Sequence, residues 1–294
     1  GTPLFVYSRA AMLDALAAYQ RGLAGRSHQI CYAMKANSTL GILQTLVRAG
    51  CGLDIVSGGE LERALAAGVE PAKVIFSGVG KTRTEMRRAL EVGIGCFNVE
   101  SEPELEVLNQ RAVKAGKKAH VSFRINPDVD AKTHAKISTG KKENKFGISY
   151  ERARAVYARA ATLEGIQVSG IDMHIGSQIT DLQPFEDAFR LLRELVETLR
   201  GDGHSIDHVD VGGGLGIPYK DDNNPPPEPD AYARIVKDQL SSLNCRIVTE
   251  PGRLIVGNAG ILVTEVIYVK EGEGRTFLIL DAAMNDLARP ALYD

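Results

Sequence analysis

The sequence predicts an α/β fold: a (β/α)₈ TIM barrel followed by the start of a truncated, mostly-β second domain. Three observations predict it. Short runs rich in Ile and Val recur at 29–33, 53–56, 74–76, 96–99, 121–125, 170–173, 209–211 and 247–249. They lack polar alternation, as strands buried on both faces do. Amphipathic helical stretches separate each run from the next, the pattern of β/α units. After Pro251 the pattern changes to polar–apolar alternation.

Taken in order, Ser8 can cap a first helix whose apolar face includes Met12, Leu13, Leu16 and Leu23. Run 29–33 is the first barrel strand. Ser38 or Thr39 can cap a helix over 40–49, with Gly50 closing it. Gly68, Gly93, Gly116 and Gly201 are expected to end later helices at left-handed C′ positions. Ser101-Glu102-Pro103-Glu104 reads as a capping box before the helix at 105–115. The long polar stretch 126–144 reads as an active-site loop. Stretch 216–230, with Asp221-Asp222-Asn223-Asn224 and three consecutive prolines, reads as a solvated surface loop. Residues 261–269 alternate, a Glu271-Gly272-Glu273-Gly274 turn follows, and a second run occupies 276–280. That is an antiparallel hairpin. Two strands alone are marginal in water. The expected division is therefore a barrel over 1–258 and the incomplete beginning of a β domain over 259–294.

The 294 residues are 44% hydrophobic and 24% charged, which excludes a disordered or collagenous chain. The 35 basic and 37 acidic side chains leave a net charge of −2, so nothing points to nucleic acid or an acidic membrane surface. No run of ~18 apolar residues offers a membrane span. No signal peptide is visible at Gly1-Thr2-Pro3-Leu4. Four scattered cysteines, with no CxxC pair, read as reduced core thiols, and the expected compartment is the cytoplasm.

In such a barrel the reacting groups belong at the C-terminal ends of the strands. Those ends carry Lys35, Asp54, Arg124, His174 with Ser177, Asp210 before Gly212-Gly213-Gly214, and Glu250 before Gly252-Arg253. Each has an ordinary reading. Lys35 is either a solvated charge or a desolvated amine prepared for a Schiff base. His174 is either a satisfied core histidine or part of a site. The triple glycine is either a tight turn or a phosphate cradle completed by Ser177. Glu250 is either a surface charge or a partner for a pyridine nitrogen. Lysine, cradle, imidazole and acid on one barrel face together describe a pyridoxal 5′-phosphate site. No metal is expected, because the six histidines are dispersed and no HxxxH or His/Cys cluster exists. No GxSxG elbow supports a serine nucleophile.

At these motifs the chain resembles the fold-type III, alanine-racemase-like pyridoxal phosphate enzymes. Among them it is most similar to the decarboxylases of diaminopimelate. The resemblance covers nearly the whole chain. It rests on Tyr32-Ala33-Met34-Lys35-Ala36-Asn37, Asp54-Ile55-Val56-Ser57-Gly58-Gly59-Glu60, Lys145-Phe146-Gly147, His174-Ile175-Gly176-Ser177-Gln178, Gly212-Gly213-Gly214-Leu215-Gly216 and Glu250-Pro251-Gly252-Arg253. The stretches that separate it from ornithine and arginine relatives are Ile137-Ser138-Thr139-Gly140, Glu143-Asn144-Lys145-Phe146-Gly147-Ile148, Met284-Asn285-Asp286-Leu287 and Arg289-Pro290-Ala291-Leu292-Tyr293.

The resemblance implies decarboxylation of meso-2,6-diaminopimelate to L-lysine, with Lys35, His174 and Glu250 catalytic. It implies that Lys35 holds pyridoxal 5′-phosphate covalently and that His174 stacks on its ring. Glu250 would pair with the ring nitrogen. Ser177, Gly213, Gly214 and the backbone at Gly252 would bind the phosphate. Asp54, Glu60 and Arg124 would support these groups. Arg253, Arg289 and Tyr293 would hold the substrate's far carboxylate. It further implies a homodimer with shared active sites and a cysteine–glutamate motif in the second domain. No such motif occurs here, and the proton donor is expected beyond Asp294. Rival readings are an ornithine or arginine decarboxylase, a racemase with a second base, and a non-catalytic cofactor carrier or binding homologue. The onset of a second domain and the presence of Lys35, His174 and Glu250 argue against the last.

Overall fold

The computed structural model describes residues 1–131, 139–140, 145–219 and 225–293, the last by its backbone alone. A first strand, β1 (Leu4–Tyr7), precedes the barrel. The barrel strands are β2 (His28–Ala33), β3 (Gly52–Ile55), β4 (Val74–Phe76), β5 (Cys96–Val99), β6 (Ala119–Asn126), β8 (Ile166–Asp172), β9 (His208–Asp210) and β10 (Arg246–Thr249). A two-residue strand, β7 (Ile148–Ser149), extends the rim beside the end of β6. All barrel pairings are parallel, and β10 closes on β2. The register sets Ala33 opposite Asp54, Arg124 opposite Asp172, and Asp172 opposite Asp210. The polar strand ends therefore share one level at the C-terminal rim, as the apolar runs foretell.

The helices between are α1 (Arg9–Gly22), α2 (Leu40–Arg48), α3 (Gly58–Ala66), α4 (Arg83–Val92), α5 (Glu102–Lys114), α6 (Ala153–Ala160), α7 (Gln183–Gly201) and α8 (Pro229–Leu240). Their apolar faces bury residues such as Leu16, Leu43, Leu61, Leu105 and Leu192 against the strands. Ser8 caps α1, its hydroxyl accepting from the Ala11 N–H at 3.2 Å. Gly50, Gly68, Gly93 and Gly116 take positive φ as expected. Gly201 does not. The last turn of α7 contains it, and the left-handed residue is Gly203 (φ 91), where the His204 N–H reaches back to the Leu199 carbonyl. The capping box at Ser101 is also half formed. Ser101 accepts from the Glu104 N–H, but the Glu104 carboxylate turns to the buried Lys81 ammonium at 2.8 Å and to the Glu100 N–H. A buried cation needs that carboxylate more than an N-terminus does. The complete box is Thr82 with Glu85, at the start of α4.

Beyond the barrel a short helix, α9 (Arg253–Val256), leads to β11 (Gly260–Val263), β12 (Val266–Gly272), β13 (Arg275–Leu280) and α10 (Arg289–Tyr293). The alternating stretch at 261–269 is not one strand. Its first part is β11, which pairs antiparallel with β1, from Leu4 opposite Val263 to Tyr7 opposite Gly260. Its second part is β12, which forms the hairpin with β13. The break falls where Asp281 accepts from the Glu265 N–H and bonds the Thr264 hydroxyl. The hairpin keeps large apolar side chains exposed, among them Tyr268 and Leu278. All four cysteines are free and buried. Among the described residues no helix is long and apolar enough to cross a membrane.

Candidate active site

Lys35 lies in a single turn, Met34–Ala36, directly after β2. Its Nζ is 3.0 Å from Asp54 Oδ2, while half of its side chain stays open to a cavity. Burial disfavours the ammonium, yet the carboxylates of Asp54 and Glu250 outweigh it, and Lys35 is held above the usual lysine value. Of the two readings the sequence allows, the acids at the neighbouring strand ends favour the charge over the desolvated amine.

Glu250 directly follows β10, and its Oε1 accepts from Asn98 and Ser77 at 3.3 and 3.4 Å. Burial, then Asp210, Asp54 and Asp172, push its carboxyl well above the usual range. Asp210 is pushed up to about 6 by burial and neighbouring Asp54, against the Gly212 N–H that favours its charge. One carboxylate oxygen from each of Asp172, Asp210 and Glu250 lies within 4.8 Å of the others. Such crowded acids hold protons among themselves.

His174 follows β8 and is neutral, because burial and then the Arg124 and Lys35 cations lower its value well below the ordinary one. Its Nδ1 accepts the Gly213 N–H at 3.2 Å, which places the ring proton on Nε2. Arg124 is buried and pairs with Glu100 at 3.1 Å. Glu100 also accepts from the Gly78 and Gly147 N–H groups, and the Arg124 guanidinium lies 4.8 Å from the Phe146 ring centre. Glu60 bends back to accept the Val56 N–H at 2.7 Å.

The glycine turn after β9 packs where side chains do not fit. A Cβ on Gly213 would lie 2.3 Å from the Glu250 carbonyl oxygen. One on Gly214, at φ +113, would lie 2.5 Å from that of Gly176. Beside this turn Arg253 donates to Ser177 Oγ at 3.2 Å.

These groups surround a cavity of about 400 Å³ lined by Lys35, His174, Ser177, Gly214, Tyr219, Glu250, Gly252 and Arg253. That size suits a small cofactor with its substrate. Asp54, Arg124 and Gly213 stand behind the lining and hold Lys35, the His174 carbonyl and the His174 ring. Arg289 reaches the site through Tyr219, its guanidinium carbon 3.7 Å from that ring's centre. The Tyr293 side chain, and residues 132–138, 141–144 and 220–224 of the two polar loops, lie outside the described residues. A cavity of about 510 Å³ opens at the N-terminal ends of β4, β5 and β6, among Ala72, Gly95 and His120, and holds none of these groups.

One end of the site is acidic, with Glu250, Asp210 and Asp172. The other has Arg253, Ser177 and the glycine turn. Buried oxygens of Asp54, Asp172 and Asp210 have no hydrogen-bond partner. A molecule with a protonated ring nitrogen at one end and a phosphate at the other fits that polarity. Sequence reasoning missed Tyr219, Ser77, Asn98 and Glu100. For Asn98 a signal existed: a carboxamide inside an apolar strand, where a buried polar group needs a partner.

The pyridoxal-binding domain model of the pyridoxal-dependent decarboxylases matches residues 9–257. Diaminopimelate decarboxylase of Pseudomonas aeruginosa is 58% identical over the whole of this chain and 70% of its own length. That of Vibrio cholerae is 56% identical with the same coverage. The crystal structure of diaminopimelate decarboxylase from Helicobacter pylori, complexed with L-lysine, superposes with a TM-score of 0.96 at 41% identity, covering all of this chain and 73% of that one.

Proposed function

Because the chain belongs to the pyridoxal-dependent decarboxylases, we propose that it converts meso-2,6-diaminopimelate to L-lysine and CO₂, the last step of lysine biosynthesis. The observation that carries this is the convergence of Lys35, His174 and Glu250 on one cavity with an acidic end and a guanidinium end.

Pyridoxal phosphate, when bound, supplies an electron sink for the pair released as the Cα–carboxylate bond breaks. The chain provides the rest. Lys35 Nζ is the attachment point, and Asp54 Oδ2 is placed to take the proton that this amine must lose to become a nucleophile. Glu250, anchored by Ser77 and Asn98, holds a proton at the acidic end, where a ring nitrogen needs one. His174 offers an uncharged flat ring, fixed by Gly213. Ser177, Gly213, Gly214 and Gly252 form the phosphate end. Arg253, Arg289 and Tyr293 are assigned to the far carboxylate, which a guanidinium grips with two charge-assisted bonds.

The reading extends to a barrel domain over 1–258, a second domain from 259, a homodimer with shared sites and a cytoplasmic location. The exposed apolar hairpin supports association, and four free buried thiols support a reducing compartment. The test is CO₂ release by the holoenzyme from meso-diaminopimelate, ornithine and arginine. Diaminopimelate should be strongly preferred, and Lys35→Ala should abolish both turnover and the cofactor's protein-bound absorbance. Equal turnover of ornithine would remove the substrate assignment.

A further inference from the structure

We propose that Tyr219 determines specificity: its ring gathers the Arg253 and Arg289 guanidiniums into one receptor for the carboxylate that the substrate keeps. The proposal rests on the function given above. Tyr219 lines the cavity and follows the glycine turn at the end of β9. Side chains hold the backbone of the two residues before it. Gln178 donates to the Ile217 carbonyl at 2.6 Å and accepts the Ile217 N–H at 3.1 Å. Asn258 donates to the Pro218 carbonyl. The ring is thus delivered to one place at the mouth.

Both guanidinium carbons lie over that ring, Arg253 at 5.7 Å and Arg289 at 3.7 Å from its centre. Arg253 also donates to the Tyr219 hydroxyl. One arginine comes from the start of α9 and the other from the start of α10, so neither positions the other through its own helix. Two like charges repel, and an aromatic face that attracts both offsets the repulsion. The two guanidiniums thus share one ring beside the cavity, where an anion can meet both.

Substrate chemistry makes this testable. Diaminopimelate carries two carboxylates and loses one. L-lysine keeps the other, and cadaverine (1,5-diaminopentane) has none. Tyr219 should therefore matter for L-lysine and not for cadaverine. Dissociation constants of both are measured by calorimetry on the pyridoxal phosphate-loaded protein, with KM and kcat for diaminopimelate alongside. In Tyr219→Leu, L-lysine binding and KM should weaken by about ten- to thirtyfold, the loss of two cation–π contacts. Cadaverine binding should stay within about twofold, and kcat should change little. Tyr219→Phe keeps the ring and should retain most of the discrimination. An unchanged L-lysine to cadaverine ratio in Tyr219→Leu overturns the proposal. So does an equal loss for both ligands, which marks a merely structural residue, or a Phe variant as damaged as Leu. A wild-type protein that fails to separate the two ligands instead removes the carboxylate assignment itself.

Discussion

Replacing Gly213 with alanine should cripple the cofactor site although no reacting side chain is substituted. The added methyl would stand 2.3 Å from the Glu250 carbonyl oxygen and 3.1 Å from its carbon. Restoring ordinary contact requires about 1 Å of movement. Backbone cannot give way as a side-chain tip can. The turn is tied to β10 by the Glu250 N–H to the Gly212 carbonyl at 2.7 Å and by the Val211 N–H to Val248 at 2.9 Å. The shift must therefore displace either Glu250 or the Gly213 N–H that holds His174. Overpacking of this kind costs about 1–3 kcal/mol. If that cost falls on the cofactor-competent geometry, affinity for pyridoxal phosphate drops by about five- to 150-fold. Spectrophotometric titration of the cofactor-stripped protein measures it, with thermal unfolding alongside. Gly213 does not have positive φ, so the effect is steric alone. Wild-type affinity together with an unchanged unfolding midpoint would refute the close packing of this turn against Glu250.

Glu250→Gln cannot hold the proton at the acidic end, and kcat should fall by about 10²–10³ while circular dichroism is unchanged. Asp54→Asn should destabilise the cofactor-free protein in a pH-dependent way. Lys35 sits above its ordinary 10.5, so the ion pair contributes fully below that value and is lost as pH rises through the raised one. Urea unfolding should show the wild-type advantage at neutral pH and its disappearance in strong alkali. An advantage that grows with pH would reverse the sign assigned to Lys35. Lys81→Met strands the buried Glu104 carboxylate and two carbonyls, those of Gly78 and Asn98. Chemical denaturation should show a loss of about 3–5 kcal/mol, recovered only in part when Glu104→Leu is added, since the two carbonyls stay without Lys81 and the Glu100 N–H loses its acceptor.

The barrel was legible because its strands are local signals: short Ile- and Val-rich runs need no knowledge of their neighbours. The site was legible where chemistry follows a strand directly, as at Lys35, His174 and Glu250. What escaped depends on distance in sequence. The charge of Lys35 is set by carboxylates 19 and 215 positions away, at Asp54 and Glu250. Glu104 left its expected cap because Lys81, on another loop, claims it. Tyr219 gains meaning only when Arg253 and Arg289 arrive over its ring. The splitting of 261–269 into two strands follows from a partner at the other end of the chain.

That last pairing bears on how the molecule assembles. Leu4 meets Val263 across nearly the full length of the chain, and the little ribbon they share has no purchase until the barrel has drawn those segments together. Contacts so remote in sequence form late. A kinetic experiment should therefore find the ribbon's amides protected only after those of the eight parallel strands, which makes the seam between β1 and β11 the closing stitch of folding.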